Sequence, residues 1–484
     1  MSISSSLSNA LSGLTAAARA AEVVSSNVSN ALTEGYGRRE LELSSRSLAG
    51  NGAGVKVEGV RRVVDQQVLG DRRLADASLG DISTRAGFLA QLEGALGQPD
   101  DPGSLTGRLA TMEASLIEAA SRPDSETRLR AVLDAATDVA GKITSASDAV
   151  QGIRMQSDRE IAVQVSGLND GLRRVADLNR EIRAQIGAGY DAAGLMDLRQ
   201  QEVDKLSAII PMREVQRDNG QIALFTPGGA ILVEGKAAEI AFAPAGVIVP
   251  QMTLASGGLS GLTINGQPID VGPKGPLAGG SLSGLFAVRD DLAVSAQTRL
   301  DAVARDLIER FRDPAVDPTL GVTDAGLFTD QGLAFLPADE LGLSARLSVN
   351  ALADPSRGGD LWKLRDGLGA ATPGDPGNAS GLIALADALT AARSPVSGGF
   401  LGAPRSAVGL AGDFLSLVHT ELQSSEAEQS FSLTRADSLK ALELQGGVDT
   451  DHEMQQLLLI EQAYAANARV ISTVDEMIQT LLGL

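Results

Sequence analysis

The sequence predicts an α+β protein, an elongated multi-domain rod with paired coiled-coil-like helices from the two ends of the chain, a helical stem and a β-rich insert. Three observations support this prediction. Apolar residues recur in alternating steps of three and four at both ends of the chain. The pattern from about 80 to 208 is helical almost throughout. Strand-like alternation around Asn-Gly turns begins only after Pro211.

The first predicted helix carries one uninterrupted heptad seam. Its members are Ile3, Leu7, Ala10, Leu14, Ala17, Ala21, Val24, Val28 and Ala31. Many of them are alanine, which lets helices approach closely but buries little apolar area. This helix is therefore expected to be weak alone and to become ordered against partners.

The last predicted helix repeats the same alternation of steps. Its seam consists of Leu457, Ile460, Tyr464, Asn467, Ile471, Val474, Ile478 and Leu481. Thr450 followed by Glu453 fits a capping box, which predicts the start of the helix just after Gly446 and Gly447. Asn467 is the one polar seam position, a residue type that can fix helix register at some cost in stability. The two ends leave open whether the helices pair within one chain or between subunits.

The middle of the chain changes texture several times. One amphipathic run from Thr127 to Ile182 predicts a helix long enough for a bundle or a coiled coil. Asn219-Gly220 and Asn265-Gly266 predict hairpin turns within the insert. Helix returns near 280, and a loop-rich stretch from 313 to 403 contains "SARLSVNAL" as a candidate strand.

These patterns divide the chain into a terminal helical assembly domain, a helical stem, a β-rich outer domain and a loop-rich segment. Their ranges are, in that order, 1–35 with 446–484; 36–208 with 280–330 and 404–445; 209–279; and 331–403. The sequence leaves open whether the loop-rich segment belongs to the insert or to the stem. Each end exposes an apolar seam, so the terminal segments are expected to pair.

Composition excludes several classes of function. Lys and Arg number 41 against 61 Asp and Glu, and the net charge of −20 argues against nucleic acid as a partner. The absence of cysteine and the presence of only two histidines exclude a thiol nucleophile, a disulfide framework and a Cys/His zinc site. The N-terminus has no basic segment followed by an apolar core, and no stretch is long enough to insert into a membrane.

No motif for catalysis, a cofactor or a metal is legible, and none of the three is predicted. The glycines of "AGNGAG" at 49–54 are interpreted as a flexible turn. His419 is interpreted as a packing or surface residue, and His452 as part of a helix cap. A solvated loop is expected to hold the aspartates Asp313, Asp317, Asp324 and Asp330.

Two segments, "NVSNALTEGYGRRE" and "EQAYAANARVIST", resemble the flagellar hook-associated protein 1 family, whose members join hook to filament. The likeness covers nearly the whole chain and includes "LNREI", "DLRQQEVDKLS" and "GLFAVRDD" in the family's order. The motif residues are Asn27, Asn30, Thr33, Gly35, Tyr36 and Arg38. Glu34 and Gly37 stand where the family commonly has Pro and Ser.

The resemblance implies a structural subunit without enzymatic activity that self-assembles through its terminal helices around a central channel. It implies four kinds of partner: copies of the chain itself, hook protein, the next hook-associated protein toward the filament, and a flagellar export chaperone. It also implies export by the flagellar type III apparatus, without a cleaved signal peptide, to the extracellular hook-filament junction. The alternatives are another axial protein, from the hook or the filament, and a flagellum-associated enzyme such as a muramidase or protease.

The motif also has a physical interpretation. Gly35 and Gly37 are expected to end the first helix through positive φ angles. Tyr36 would supply one large anchor beside a seam of small residues. Asn27 and Asn30, which are three residues apart on one helical face, are expected to hydrogen-bond a neighbouring helix.

Overall fold

The computed structural model describes residues 3–48, 51–98, 101–400 and 404–483. Its α-helices are α1 (Ile3–Ser29), α2 (Gln66–Leu96), α3 (Leu105–Ser121), α4 (Glu126–Gly187), α5 (Ala193–Ser207), α6 (Ser281–Ala287), α7 (Ala293–Phe311), α8 (Lys363–Asp366), α9 (Ser380–Thr390), α10 (Ala407–Gln445) and α11 (Thr450–Leu482). Its strands are β1 (Arg38–Leu48), β2 (Asn51–Val63), β3 (Arg213–Gln216), β4 (Ile222–Phe225), β5 (Ile231–Glu234), β6 (Lys236–Ala237), β7 (Ile240–Ala241), β8 (Leu262–Ile264), β9 (Gln267–Ile269), β10 (Phe328–Asp330) and β11 (Leu347–Val349). One π-helical turn, Val288–Leu292, joins α6 to α7. Long helices and small antiparallel sheets together confirm the α+β class.

The first and last helices pack against each other in antiparallel directions, which confirms the expected pairing of the two ends. Near one end of the pair, Asn27 donates from Nδ2 to Glu453 Oε2 at 3.0 Å. Further along, α1 and α11 approach so closely that a Cβ on Gly13 would lie 2.7 Å from the Asn467 side chain. Small residues on α1 are what permit this approach.

A two-stranded ribbon of β1 and β2 lies along α1, where the sequence analysis expected the helical stem to begin. Val55 N donates to Ser12 Oγ at 3.1 Å, which ties the ribbon to the helix. The alternation of "RELEL" and "VKVEGV" is a strand signal that the helical interpretation passed over. Residues 49 and 50 of "AGNGAG" lie outside the described residues, and Asn51 already belongs to β2. We call α1, β1, β2 and α11 the terminal unit.

The 62-residue helix α4 confirms the long helical run and spans about 93 Å at 1.5 Å per residue. Its N-terminal half shares one apolar core with α3, α7, α9 and α10, and Val132, Leu300 and Phe414 are fully buried there. Leu343 and Leu382, from the loop-rich segment 331–403, are buried in the same core. This packing favours placing that segment with the stem.

The C-terminal half of α4 shares a second core with α5, α6 and the strands of the insert. Leu172 of α4, Leu224 of β4 and Phe286 of α6 are buried together in it. The expected strands and turns are present, and Asn219 and Gly220 adopt φ angles of 55° and 70° between β3 and β4. The insert nevertheless has no core of its own, because its sheets are too small to bury both faces without α4.

Candidate assembly site

Asn27 lies at the point where α1, β1 and α11 meet, and it is only 1% exposed. Its Nδ2 donates to Arg39 O at 2.9 Å and to Glu453 Oε2 at 3.0 Å. Its Oδ1 accepts from the Tyr36 hydroxyl and from Arg39 N, both at 2.9 Å. Both donors and both acceptor positions of this buried amide are therefore satisfied.

Glu453 brings α11 into the same cluster. Its carboxylate is 1% exposed, and Arg38 Nε donates to Oε1 at 2.9 Å. Asn27 and Arg38 together give this buried carboxylate one neutral and one charge-assisted hydrogen bond. A buried carboxylate without such partners would be costly, so Glu453 ties the placement of α11 to the motif on the N-terminal side.

The predicted capping box at Thr450 is wrong. Asp449 is the N-cap of α11, and its side chain accepts from Asp451 N at 2.9 Å and His452 N at 3.2 Å. Thr450 is the first helical residue, and Glu453 points away to Arg38. An aspartate cap also places negative charge at the helix N-terminus, where the helix dipole favours it. His452 lies in the cap, as interpreted.

The two motif glycines have different roles. Gly35 has a φ of 77°, which confirms the expected left-handed residue after α1. Gly37 does not adopt a positive φ, so that expectation is wrong. A Cβ at Gly37 would instead collide with the guanidinium of Arg62, and the requirement for glycine there is close approach.

Tyr36 has the role expected from the sequence, and Asn30 does not. The Tyr36 hydroxyl bonds Asn27, and the Arg39 guanidinium lies 4.9 Å from the centre of the Tyr36 ring, so this tyrosine anchors the end of α1. Asn30 follows the last residue of α1, donates to Ser26 O at 2.9 Å and accepts from Thr33 Oγ1. The expectation that Asn30 bonds a neighbouring helix is therefore wrong, because its side chain is used at the C-terminus of α1.

Asp197 of α5 holds the motif from the stem side, and the sequence analysis assigned it no role. It accepts from Arg62 Nε at 2.7 Å, from Gly37 N at 3.0 Å and from Arg39 NH2 at 3.2 Å. Asp197 lies in "DLRQQ", a segment that carries the family resemblance but no motif of its own. No local pattern marks an aspartate whose partners lie about 135 to 160 positions away.

The seam residues divide into two groups within one chain. Partly or fully buried are Ile3, Leu14, Val24, Leu457, Ile460, Asn467, Ile471, Val474 and Ile478. Exposed are Leu7, Val28, Tyr464 and Leu481. The contact face of α1 is thus shifted from the predicted seam, toward Gly13 and Asn27. A role for any seam residue in assembly stays a prediction.

A second, mostly apolar stripe runs along α11, and Leu481 is the one member that also belongs to the predicted seam. We call it the outer stripe, and its members are Leu459, Ala463, Ala466, Val470, Thr473, Met477 and Leu481. All seven are exposed, including Leu459 at 65% and Met477 at 52%. At 3.6 residues per turn, this stripe is rotated about 100° from the face that contacts α1. Only Glu453 and Val474 of the 33 residues of α11 are buried.

The remaining candidates have structural explanations. His419 is an exposed residue whose Nδ1 lies 2.7 Å from Glu93 Oε1, as the surface interpretation requires. Asp317 is buried, and it accepts from Thr319 N and Leu368 N. Asp330 lies in β10 and pairs with Arg346, so the solvated-loop expectation is wrong for both aspartates. Across the described ranges, no acidic and histidine side chains form a group of three or more that could hold a metal ion. No helix in the described part of the chain is long and apolar enough to cross a membrane.

Comparisons with known proteins match three parts of the chain. Residues 7–36 match a model named flagella basal body rod protein, and residues 445–484 match the C-terminal model of the basal body rod FlgEFG proteins. These two matches cover most of α1, the motif as far as Tyr36, and α11. Residues 89–313 match the helical domain of flagellar hook-associated protein FlgK. The central part of the chain is thus similar to the helical domain of FlgK.

Several proteins named flagellar hook-associated protein 1 are also similar to the chain. The chain is 27% identical over 294 residues to flagellar hook-associated protein 1 of Salmonella typhimurium, a match that covers 55% of this chain and 53% of the relative. It is 28% identical over 240 residues to the protein of the same name in Bacillus subtilis, covering 47% of each chain. The match to the Escherichia coli protein is 25% identical and covers 64% of this chain and 56% of the relative. The chain thus spans about half the length of the curated relatives it matches.

A solved structure of the flagellar hook junction protein FlgK from Burkholderia pseudomallei is also similar to the chain. The two superimpose with a TM-score of 0.44 at 23% sequence identity. The match covers 54% of this chain and 46% of that one.

Proposed function

We propose that this chain is a structural subunit of the bacterial flagellum that joins hook to filament by self-assembly through its terminal helices. The observation that carries the proposal is the outer stripe of α11. The stripe runs from Leu459 to Leu481, along the C-terminal two thirds of a helix whose other apolar face is already covered by α1. Exposed contiguous apolar surface of this kind marks an interaction site. The similarity of the central region to FlgK supports placing that site in the flagellum.

The outer stripe suits packing between helices of different subunits. Alanine and threonine are interspersed along it with Leu459, Val470 and Met477. A neighbouring helix can therefore approach closely at the small residues, while the large side chains fill the space between the two helices. Burying one such large side chain contributes roughly 1.5 to 3 kcal/mol. Several copies arranged side by side would repeat this gain at each contact, which favours an assembly over a free chain.

The polar cluster at the motif supports a structural function over a catalytic one. The side chains of Asn27, Glu453 and Asp197 are each hydrogen-bonded to other groups of the chain. A general acid, base or nucleophile needs a group that faces a substrate-sized space. The FlgK family is a family of structural flagellar proteins, and the absence of enzymatic activity in this chain is part of the proposal.

The proposed partners are copies of the chain, hook protein on one side and the next hook-associated protein on the other, with an export chaperone before assembly. The proposed location is the extracellular hook-filament junction, reached through the flagellar type III apparatus. We propose the terminal unit as the assembly domain, now with the β1–β2 ribbon included. We assign residues 331–403 to the stem because Leu343 and Leu382 share its core.

Electron microscopy of a strain deleted for this gene tests the proposal. We expect hooks without filaments and flagellin in the medium, with normal flagella restored by the intact chain. Loss of the hooks themselves would instead identify a hook protein. Normal flagella in the deletion strain would contradict a role in joining hook to filament.

A further inference from the structure

We propose that Asp197 is a positioning residue that sets the orientation of the terminal unit relative to the stem, across a joint in which the described residues form no apolar core. Only the purpose of this fixed orientation, which is to present the assembly helices at one angle, rests on the proposed function. The joint itself is argued from contacts within one chain.

The first observation is how apolar contacts are distributed. The stem contains two apolar cores, one around the N-terminal half of α4 and one around its C-terminal half. Among the described residues, neither core includes a side chain from α1, β1, β2 or α11. Hydrophobic burial is the dominant force that fixes one structural unit against another. The terminal unit must therefore be oriented by other contacts.

The second observation is that the chain itself constrains the joint only weakly. Residues 64–65 connect β2 to α2, and residues 446–449 connect α10 to α11. The second connection contains Gly446 and Gly447, whose backbones are less restricted than those of other residues. Two clefts of about 380 and 570 Å³ lie beside the joint, between the motif loop and α10. Covalent connections and packing both leave room for the unit to turn.

The third observation is that one carboxylate collects the contacts that cross the joint. Asp197 accepts from Gly37 N, from Arg39 and from Arg62, which lie in the α1–β1 connection, in β1 and in β2. The side chain of Asp197 is 11% exposed, so water competes little for these bonds. Three donors converging on one buried carboxylate fix direction as well as distance.

The other contacts across the joint are weaker or depend on Asp197. Lys440 pairs with Glu34 at 3.1 Å, but both side chains are more than half exposed, and such pairs contribute little. Arg62 also donates to Gln200, and it is held in place for that bond by Asp197. Gln201 donates to Glu34 O at 2.7 Å from the exposed edge of α5. Removing the Asp197 carboxylate therefore removes the contact that organises the joint.

The chain offers a matched control two helical turns away on α5. Asp204 lies on the same face and binds Arg72 and Arg73 of α2 at 2.7 and 2.6 Å. It has the same charge and also pairs with two arginines, but both of them belong to the stem. Loss of Asp204 should loosen α2 from α5 without releasing the terminal unit.

The test measures the distance between the two parts in the full-length chain. The chain has no cysteine, so Gln462→Cys on α11 and Ser430→Cys on α10 give two exposed sites for spin labels. Pulsed electron resonance then reports the distance distribution in the parent chain, in Asp197→Asn, in Asp197→Glu and in Asp204→Asn. Circular dichroism checks that the helix content of every variant is kept.

We expect a narrow distribution in the parent chain, a broad one in Asp197→Asn, and a distribution close to the parent in Asp204→Asn. Asp197→Glu keeps a carboxylate and should recover most of the narrow peak. A parent distribution as broad as that of Asp197→Asn, or no change in Asp197→Asn, would overturn the proposal. These distances are measured on the free chain, without assembly. The proposal for Asp197 can therefore fail while the role in joining hook to filament stands, and the role can fail while the proposal for Asp197 stands.

Discussion

Asn27 shows how a single side chain can connect the two ends of a long sequence. We expect Asn27→Ala to destabilise the terminal unit by roughly 2 to 3 kcal/mol, because Glu453 loses one of its two partners while it stays buried. Hydrogen exchange of residues 450–482, followed by mass spectrometry, would show faster exchange in α11. Asn30→Ala is the matched control, since Asn30 bonds only residues of its own segment. Equal effects of the two substitutions would contradict the assigned role of Asn27.

At this scale the sequence predicted the identity of the important residues better than their partners. Asn27, Tyr36 and Gly35 were singled out from the motif, and the structure gives each of them a specific contact or backbone angle. Glu453 lies 426 positions from Asn27, and Asp197 has no local signal at all. A motif records which side chains matter locally, whereas the partner depends on how distant segments fold together.

The closeness of α1 and α11 gives a prediction at the scale of the element. Gly13→Leu would place a side chain where Asn467 now lies and push the helices apart, because a Cβ alone already reaches within 2.7 Å of Asn467. We expect a loss of roughly 1 to 3 kcal/mol from the pairing, the usual cost of overpacking. Hydrogen exchange along α11 would locate the loss around Asn467. Unchanged protection there would show that the two helices do not meet at Gly13.

At Gly70 of α2, a larger side chain is expected to increase stability, in contrast to Gly13. It lies inside a helix, and a Cβ there would meet nothing within 4 Å. Gly70→Ala should therefore stabilise the chain by up to about 1 kcal/mol, through the higher helix propensity of alanine. A thermal melt would show a higher Tm than the parent. A lower Tm would mean that the space beside Gly70 is filled in the folded chain.

Element by element, the long helices were predictable and the ribbon was not. Helix α4 follows from an amphipathic period sustained over many turns, a signal that averages out local exceptions. Strands β1 and β2 are rich in polar residues, and their alternation competes with a stretch rich in serine and glycine. The outer stripe of α11 was missed because two heptad patterns overlap on one helix, and the more aliphatic one conceals the other.

For the whole molecule, buried carboxyl groups predict a dependence of stability on pH. Burial raises the pKa of Asp290, Asp301 and Asp306 above the usual value of about 4. A raised pKa in the folded state means that folding favours the protonated form. The resulting stability is present below the usual pKa and is lost as pH rises through the raised value. We expect a higher Tm at pH about 5 than at pH 7.

Asp301→Asn separates this effect from the general relief of repulsion in a chain with a net charge of −20. The substitution removes one titrating group, so the rise in Tm between pH 7 and about 5 should shrink. Overall stability should fall, because Gly342 N donates to Asp301 Oδ2 and would face an amide NH2 group. A rise in Tm as large as that of the parent would show that Asp301 does not contribute.

The order of parts along the chain was predictable, but the sharing of cores was not. Pairing of the two ends followed from two seams that each needed a partner. The insert was expected to be an outer domain, yet Leu224 packs with Leu172 of α4 in one core. Short strands can be predicted from local alternation and turn residues, whereas the helix that completes their core lies elsewhere in the sequence.

The measurement that tests the account most directly is incorporation of Val470→Asp into flagella of a deletion strain. Val470 lies on the outer stripe, so the charge should block packing between subunits while the chain stays folded. Ser472→Asp, at an exposed position off the stripe, is the matched control, and Ile471→Asp on the inner face should disrupt the α1–α11 pair itself. We expect folded Val470→Asp chains in the medium and hooks without filaments, with normal flagella for Ser472→Asp. Normal incorporation of Val470→Asp would contradict assembly through the outer stripe.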